Sequence, residues 1–198
     1  MANTNSAFGL RPVTMNGTPL SGQMKMVNAP SSYGTALYLG DPVLLTGVAD
    51  GFGVPQVNLA SAGGGTYVSG TVIGFCNGPA GSGVTLLQSN TVYGAASTNR
   101  YLMIIDDPNT IFEIQEDSVG GAIAASASTG ANADLVAGSG STVTGFSGWM
   151  LDSSTVNTTN TLQCQIVGLA RGPDNVIGNY AKWLVRLNLA QLWHTTGV

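Results

Sequence analysis

Charge is what this sequence has least of. Charged side chains make up 8% of its 198 residues, against roughly a quarter in an ordinary soluble domain. The six basic residues, Arg11, Lys25, Arg100, Arg171, Lys182 and Arg186, stand apart from one another. A nucleic-acid binder needs several positive groups together to displace counterions, so no nucleic-acid partner is expected. There is a single histidine, His194, and any Ser-His-Asp set would have to use it. No G-x-S-x-G elbow precedes a helical pattern. The two cysteines, Cys76 and Cys164, are too few for a disulfide framework, and both fall in expected strands. They read as small core residues that stay reduced. No apolar run approaches the roughly 20 residues of a membrane span, so no membrane partner is expected. The opening MANTNSAFGLRPV lacks the basic and apolar regions of a signal peptide. The chain is therefore expected to be made in a cytoplasm and to stay there until it joins something.

Apolar residues are plentiful instead. They reach 43%, with 28 glycines and much of the remainder Ser, Thr and Asn. Disordered chains are highly charged and poor in β-branched residues, and this one is neither. A chain of this length buries roughly 70% of its unfolded surface and needs no metal or disulfide to hold a core. A weakly charged monomer tends to associate, so the composition suits a protein whose surface is covered in an assembly.

The patterning is all-β, a Gly-rich β-barrel or β-sandwich with an extended N-terminal arm and long loops. Residues 1–30 form the arm: three prolines and scattered single apolar residues give neither a 2.0 nor a 3.6 period. Residues 31–198 form the β domain, divisible into a barrel at 31–97 and a second β layer at 98–198. Within the first part, a Gly40-Asp41-Pro42 break, strands at Val43–Thr46 and Val54–Leu59, and a buried strand at Gly70–Cys76 follow one another closely. A further irregular strand is expected over 84–92. Thr98 to Asp117 reads as a β-hairpin, with an apolar run Tyr101–Ile105, a turn Asp106-Asp107-Pro108-Asn109, and an alternating run Thr110–Glu116. Residues 118–148 read as a long loop with short strands. Lys182–Leu189 alternates, with Trp183, Val185, Leu187 and Leu189 inward, and Leu162–Ala170 places Gln163 and Gln165 outward.

Candidate chemistry is sparse. Five of the ten acids fall within Asp106–Asp117: Asp106, Asp107, Glu113, Glu116 and Asp117. Paired carboxylates serve glycosidases and Ca²⁺ sites, but the spacing is not that of an EF-hand loop. Asp is also common in turns, and these acids read as solvated turn and strand positions. Gly63-Gly64-Gly65 and Gly81-Ser82-Gly83 do not lead from a strand into a helix with a following Lys, so neither is a phosphate loop. No metal ligand spacing is present. The expectation is a protein that is not an enzyme, with no catalytic residues, no cofactor and no metal.

Two sets of motifs carry a resemblance. The segment from Gly40 to Phe75 reads GDPVLLTG…GVPQV…ASAGG…SGTVIGF. It is similar to the β-barrel segment of tailed-bacteriophage head decoration, or capsid cement, proteins, where a GDPV turn precedes an Ala-Gly loop and a strand reading G-x-V-x-G-x. FEIQED, NADLV and RGPDN…AKWLVRLN resemble matching parts of structural proteins encoded beside major capsid genes in such phages. The likeness runs from Phe8 to Asn188. It implies a virion protein on the outer capsid surface that bridges neighbouring major capsid subunits as a dimer or trimer. Short members of the family hold one barrel, and the sequence from Thr98 onward implies a second β layer here. On this reading the capsid contact falls on the arm, at Phe8, Leu10, Arg11, Pro12 and Val13, and deletion of residues 2–20 would leave the domain folded. The alternative is a tail-associated or receptor-binding module for a host glycan. That module would need exposed aromatics, and Trp149 and Trp183 read as inward, leaving Trp193.

Overall fold

The computed structural model describes residues 3–15, 17–20, 23–84 and 91–193. It is all-β. Among the described residues thirteen strands form the framework, and the helical content is three 3-10 turns of three residues each.

Five strands close into a barrel: β3 (Lys25–Ala29), β4 (Pro42–Ala49), β5 (Pro55–Leu59), β6 (Gly70–Cys76) and β7 (Arg100–Ile105), in the order β3-β5-β4-β6-β7. Every pairing is antiparallel except the seam, where Asn28 of β3 meets Gln56 of β5 in parallel. Alternation sends one face of each strand inward. Val27, Val43, Val57, Val72, Leu102 and Ile104 fill the interior, so it is a packed core and not a channel.

A six-stranded antiparallel sheet stands against the barrel. Its strands are β1 (Arg11–Met15), β2 (Thr18–Pro19), β8 (Thr110–Gln115), β9 (Asn132–Ala133), β12 (Cys164–Leu169) and β13 (Lys182–Leu187), ordered β2-β1-β8-β13-β12-β9. A short pair, β10 (Leu135–Val136) with β11 (Met150–Leu151), accompanies it. A second core gathers Leu10, Phe112, Ile114, Trp149, Ile166, Trp183 and Val185 with Val68 and Ile105 from the barrel side. The neighbours Ile104 and Ile105 thus point to opposite faces of β7, one into each core.

The expected hairpin at Thr98–Asp117 does not form as a hairpin. Both strands are there and the turn closes, with Asp107 Oδ1 accepting from the Asn109 amide at 2.7 Å. Yet β7 pairs with β3 and β6, while β8 pairs with β1 and β13. Each strand has both edges taken by partners distant in sequence, and the turn is the link from barrel to sheet. The barrel therefore runs from Lys25 to Ile105, not over 31–97, because β3 comes from the expected arm and β7 from the expected second layer.

The N-terminal segment is an integral part of the sheet, not an arm. β1 pairs with β8 from Arg11↔Glu113 to Met15↔Thr110. Ahead of it, Asn3 Nδ2 donates to the carbonyls of Val176 and Asn179, and the buried Gln115 donates to the Thr4 carbonyl and accepts from the Ser6 amide. Deleting residues 2–20 would remove the fully buried Leu10 and strand β1 and leave the buried Gln115 with only the Tyr180 carbonyl as a side-chain partner, so the truncated chain is not expected to stay folded. Gln163 also departs from expectation. It is buried, accepting from the Gly63 and Leu135 amides and donating to the Ser61 carbonyl and the Thr66 hydroxyl, so it ties the Ala60–Gly65 loop to the sheet. The inward and outward pattern of β13 is as read, with Trp183, Val185 and Leu187 buried. The strand expected over 84–92 falls mostly outside the described residues, as does His194.

Candidate functional site

The acids at 106–117 do not converge. Asp106 pairs with Lys25 at 3.2 Å, Asp107 holds its turn, and Glu113 pairs with Arg11 at 2.5 Å. Asp117 accepts from the amide and hydroxyl of Ser153. Glu116 is not solvated at all. It is fully buried, and its carboxylate accepts from Trp183 Nε1 at 2.8 Å, the Ile123 amide at 3.1 Å and the Ser118 hydroxyl at 3.2 Å. Desolvation pushes its pKa up, and those three donors oppose the rise. Each acid has a separate structural task, and the buried one is saturated by donors that fix Trp183. Among the described residues no group of three His, Cys, Asp or Glu side chains is placed to hold a metal ion.

The cysteines are free. Cys76 lies in barrel strand β6, and Cys164 is wholly buried in β12, where desolvation pushes its thiol pKa up. Such a thiol is a poor nucleophile, because the thiolate is the reactive form.

What the surface does offer is an apolar groove of about 450 Å³ between the N-terminal segment and the barrel. Phe8, Leu10, Arg11 and Pro12 form one wall; Leu39, Gly40, Val72, Ile73 and Phe146 form the other. Close backbone approach builds it. Leu10 donates its amide to the Gly40 carbonyl at 2.8 Å, and Gly40 donates to Val72 at 2.7 Å. Gly9 and Gly40 both have positive φ, and a Cβ on Gly40 would stand 2.2 Å from the Phe8 carbonyl oxygen, so only glycine fits there. At the rim, the Arg11 guanidinium lies 4.7 Å above the Phe8 ring while Glu113 holds one of its nitrogens. The Arg11 side chain is 57% exposed.

Of the five residues nominated from sequence, Phe8, Arg11 and Pro12 line this groove as accessible wall. Leu10 closes its floor but is wholly buried in the second core, so it anchors the wall and is not itself a contact residue. Val13 is exposed but does not line the groove. The opposite wall was missed. Gly40 belongs to the GDPV motif, and Phe146 had a signal: it is the lone aromatic in a run of Gly, Ser and Thr, and it is half exposed.

Behind that wall sits Asp41, buried, with its carboxylate accepting from the Tyr38 amide at 2.7 Å. Burial raises its pKa to about 6, against the opposing hydrogen bonds from Ser147 and Tyr38. Ser147 follows Phe146, and the Ser147 amide donates to the Leu39 carbonyl. Asp41 therefore fastens the Phe146 loop to the barrel mouth.

Compared with protein-family models, with curated proteins and with solved structures, the chain matches none.

Proposed function

We propose that this chain is a non-enzymatic virion protein that attaches to the outer surface of a tailed-phage capsid and stabilises it by bridging major capsid subunits. The observation that carries the reading is the N-terminal face. Of the residues nominated as a contact from sequence, Phe8, Leu10, Arg11 and Pro12 form one wall of an apolar concavity and Val13 stands exposed beside it. The resemblance of the Gly40–Phe75 motifs to those of decoration proteins and the low charge content support the same reading. Such a protein works by multivalency: each contact is weak, and an oligomer that engages several capsid subunits gains through effective concentration. It needs one contact to the shell and one between copies, and the N-terminal face borders surfaces for both.

The test is co-sedimentation with expanded empty heads and, separately, with unexpanded proheads of the phage that encodes the chain. Saturable binding to expanded heads, lost in Val13→Asp with an unchanged Tm, is the expected result. Point variants replace truncation because Leu10 and β1 belong to the fold. No binding to either particle would overturn the reading in favour of a glycan-binding tail module. Trp193, 60% exposed, is then the residue to substitute in a glycan screen.

A further inference from the structure

The molecule carries an apolar projection as well as an apolar groove. The β4–β5 hairpin ends in Val48-Ala49-Asp50-Gly51-Phe52-Gly53, where Val48 is 57% and Phe52 51% exposed. Isolated exposed apolar residues are ordinary, but this tip is held rigid. Asp50 Oδ1 accepts from the amides of Phe52 at 2.8 Å and Val54 at 2.9 Å, and Oδ2 accepts from the Tyr101 hydroxyl at 2.6 Å. The Asp50 and Val54 backbones also bond, as do Gly53 and Asp50. Although partial desolvation raises it, these three donors bring the Asp50 pKa below the usual carboxylate value, so the tip is anionic at neutral pH. A rigid, pre-ordered aromatic loses little conformational entropy on docking, which is what an interface anchor requires.

The groove lies at the other end of the same strand. It borders Leu39 and Gly40, just before β4 begins at Pro42, whereas the tip follows Ala49. At about 3.3 Å per residue the two are on the order of 20 Å apart, and the barrel fixes that separation. The tip therefore cannot fill its own groove. The groove's volume lies in the range, roughly 300–1,000 Å³, of pockets that take small-molecule groups, and its rim carries the 57% exposed Arg11, which gives one nitrogen to Glu113 and keeps others to meet the tip's anionic Asp50.

We infer that a second copy of this chain occupies the groove: Phe52 and Val48 of one copy seat between Phe8 and Phe146 of the next, with Asp50 facing Arg11. Knob and groove are different surfaces of one copy, so the contact is either reciprocal, a two-fold dimer in which each knob fills the other copy's groove, or head-to-tail, closing as a ring or running on as a filament. The inference supplies the contact between copies that the decoration reading needs and leaves Val13 to the shell.

Sedimentation velocity across a concentration series up to millimolar tests it. The wild-type chain is expected to associate, and Phe52→Asp and Phe146→Asp are each expected to be monomeric with unaltered circular dichroism. Mixing the two variants is the decisive arm. One keeps its groove and the other its knob, so an equimolar mixture should form a dimer and stop there. Val143→Asp, at a highly exposed position outside the groove lining, should associate like the wild type. A wild-type chain that stays monomeric, variants that associate unchanged, or a mixture that fails to dimerise would each overturn the inference. Because no heads are present, that failure is separable from failure of the capsid reading, which co-sedimentation alone decides.

Discussion

The two cores of this molecule are built on opposite plans. The barrel interior is filled by aliphatic side chains, Val27, Val43, Val57, Val72, Leu102 and Ile104, most of them on strands that are near neighbours in sequence. The core beneath the sheet draws on segments from Leu10 to Ala190 and uses Trp149, Trp183 and Phe112. It also encloses polar groups, among them Gln115, Glu116 and Gln163, all essentially without exposure. A buried polar group is tolerated only when its partners are all in place. The barrel interior is thus filled by aliphatic volume, with polar groups such as Asn28, Asp41 and Thr71 bonded around it, whereas the core beneath the sheet mixes its volume with directional bonds that join loops distant in sequence. The aliphatic positions of the first are specified mainly by size; the polar positions of the second also specify which residue must stand where.

The largest effect should come from breaking both plans at once on the sheet side. Trp183→Ala removes a fully buried ring and the indole donor of Glu116, and a loss of about 3–5 kcal/mol, or failure to fold, is expected from the cavity before the polar term is added. Urea denaturation measures it, and Trp183→Phe separates the two terms by keeping most of the ring and losing the Nε1 bond. The matching barrel variant, Leu102→Ala, should cost roughly 2–5 kcal/mol from transfer and cavity terms alone. If Trp183→Phe proves as mild as an ordinary volume-conserving swap, the polar half of the comparison fails.

Asp41 sharpens the contrast through pH. Its pKa is raised to about 6 in the folded protein from 3.8, so the fold favours the protonated form. Its contribution is fully present below the unfolded value and is lost as pH rises through about 6. Asp41→Asn keeps an oxygen for the Tyr38 amide and carries no charge. The variant is expected to exceed the wild type in stability at pH 7.5 by on the order of 2–3 kcal/mol, and the advantage should shrink as pH falls toward 4. Paired urea melts at the two pH values check it, and a constant difference would exclude Asp41 as the titrating group. The smallest effect is expected at Arg11→Ala. An exposed ion pair is worth about 0–1 kcal/mol, so thermal stability should barely move even though the groove rim changes.

How far the sequence was legible follows the same division. β6 was readable to its end residues, Gly70–Cys76, because an apolar run between Gly-rich loops has one interpretation. The alternation in β13 was equally plain. The pairing of β7 with β8 was not, because strand periodicity reports which face is buried and says nothing about which strand lies alongside. Local proximity favours a hairpin, yet each strand instead takes partners on both edges, β3 and β6 for β7, β1 and β13 for β8. Gln163 and Glu116 read as surface residues because polar side chains usually are, and their burial depends on donors and acceptors from loops far away in sequence. The groove was half legible. Its N-terminal wall stood out as spaced apolar residues, while Phe146 comes from a Gly- and Ser-rich stretch whose path only the fold fixes.

The way the sheets end has a consequence for colloidal behaviour. A closed barrel offers no backbone ladder to a stranger, and the six-stranded sheet terminates in β2 and β9, each two residues long. Beyond the reach of β2, strand β1 carries Pro12, which has no amide hydrogen to donate. A chain this apolar and this weakly charged would ordinarily be at risk of cross-β aggregation at high concentration. Here the ends of the sheet deny amyloid-like growth a template. Solubility is then protected by strand geometry where electrostatic repulsion is scarce.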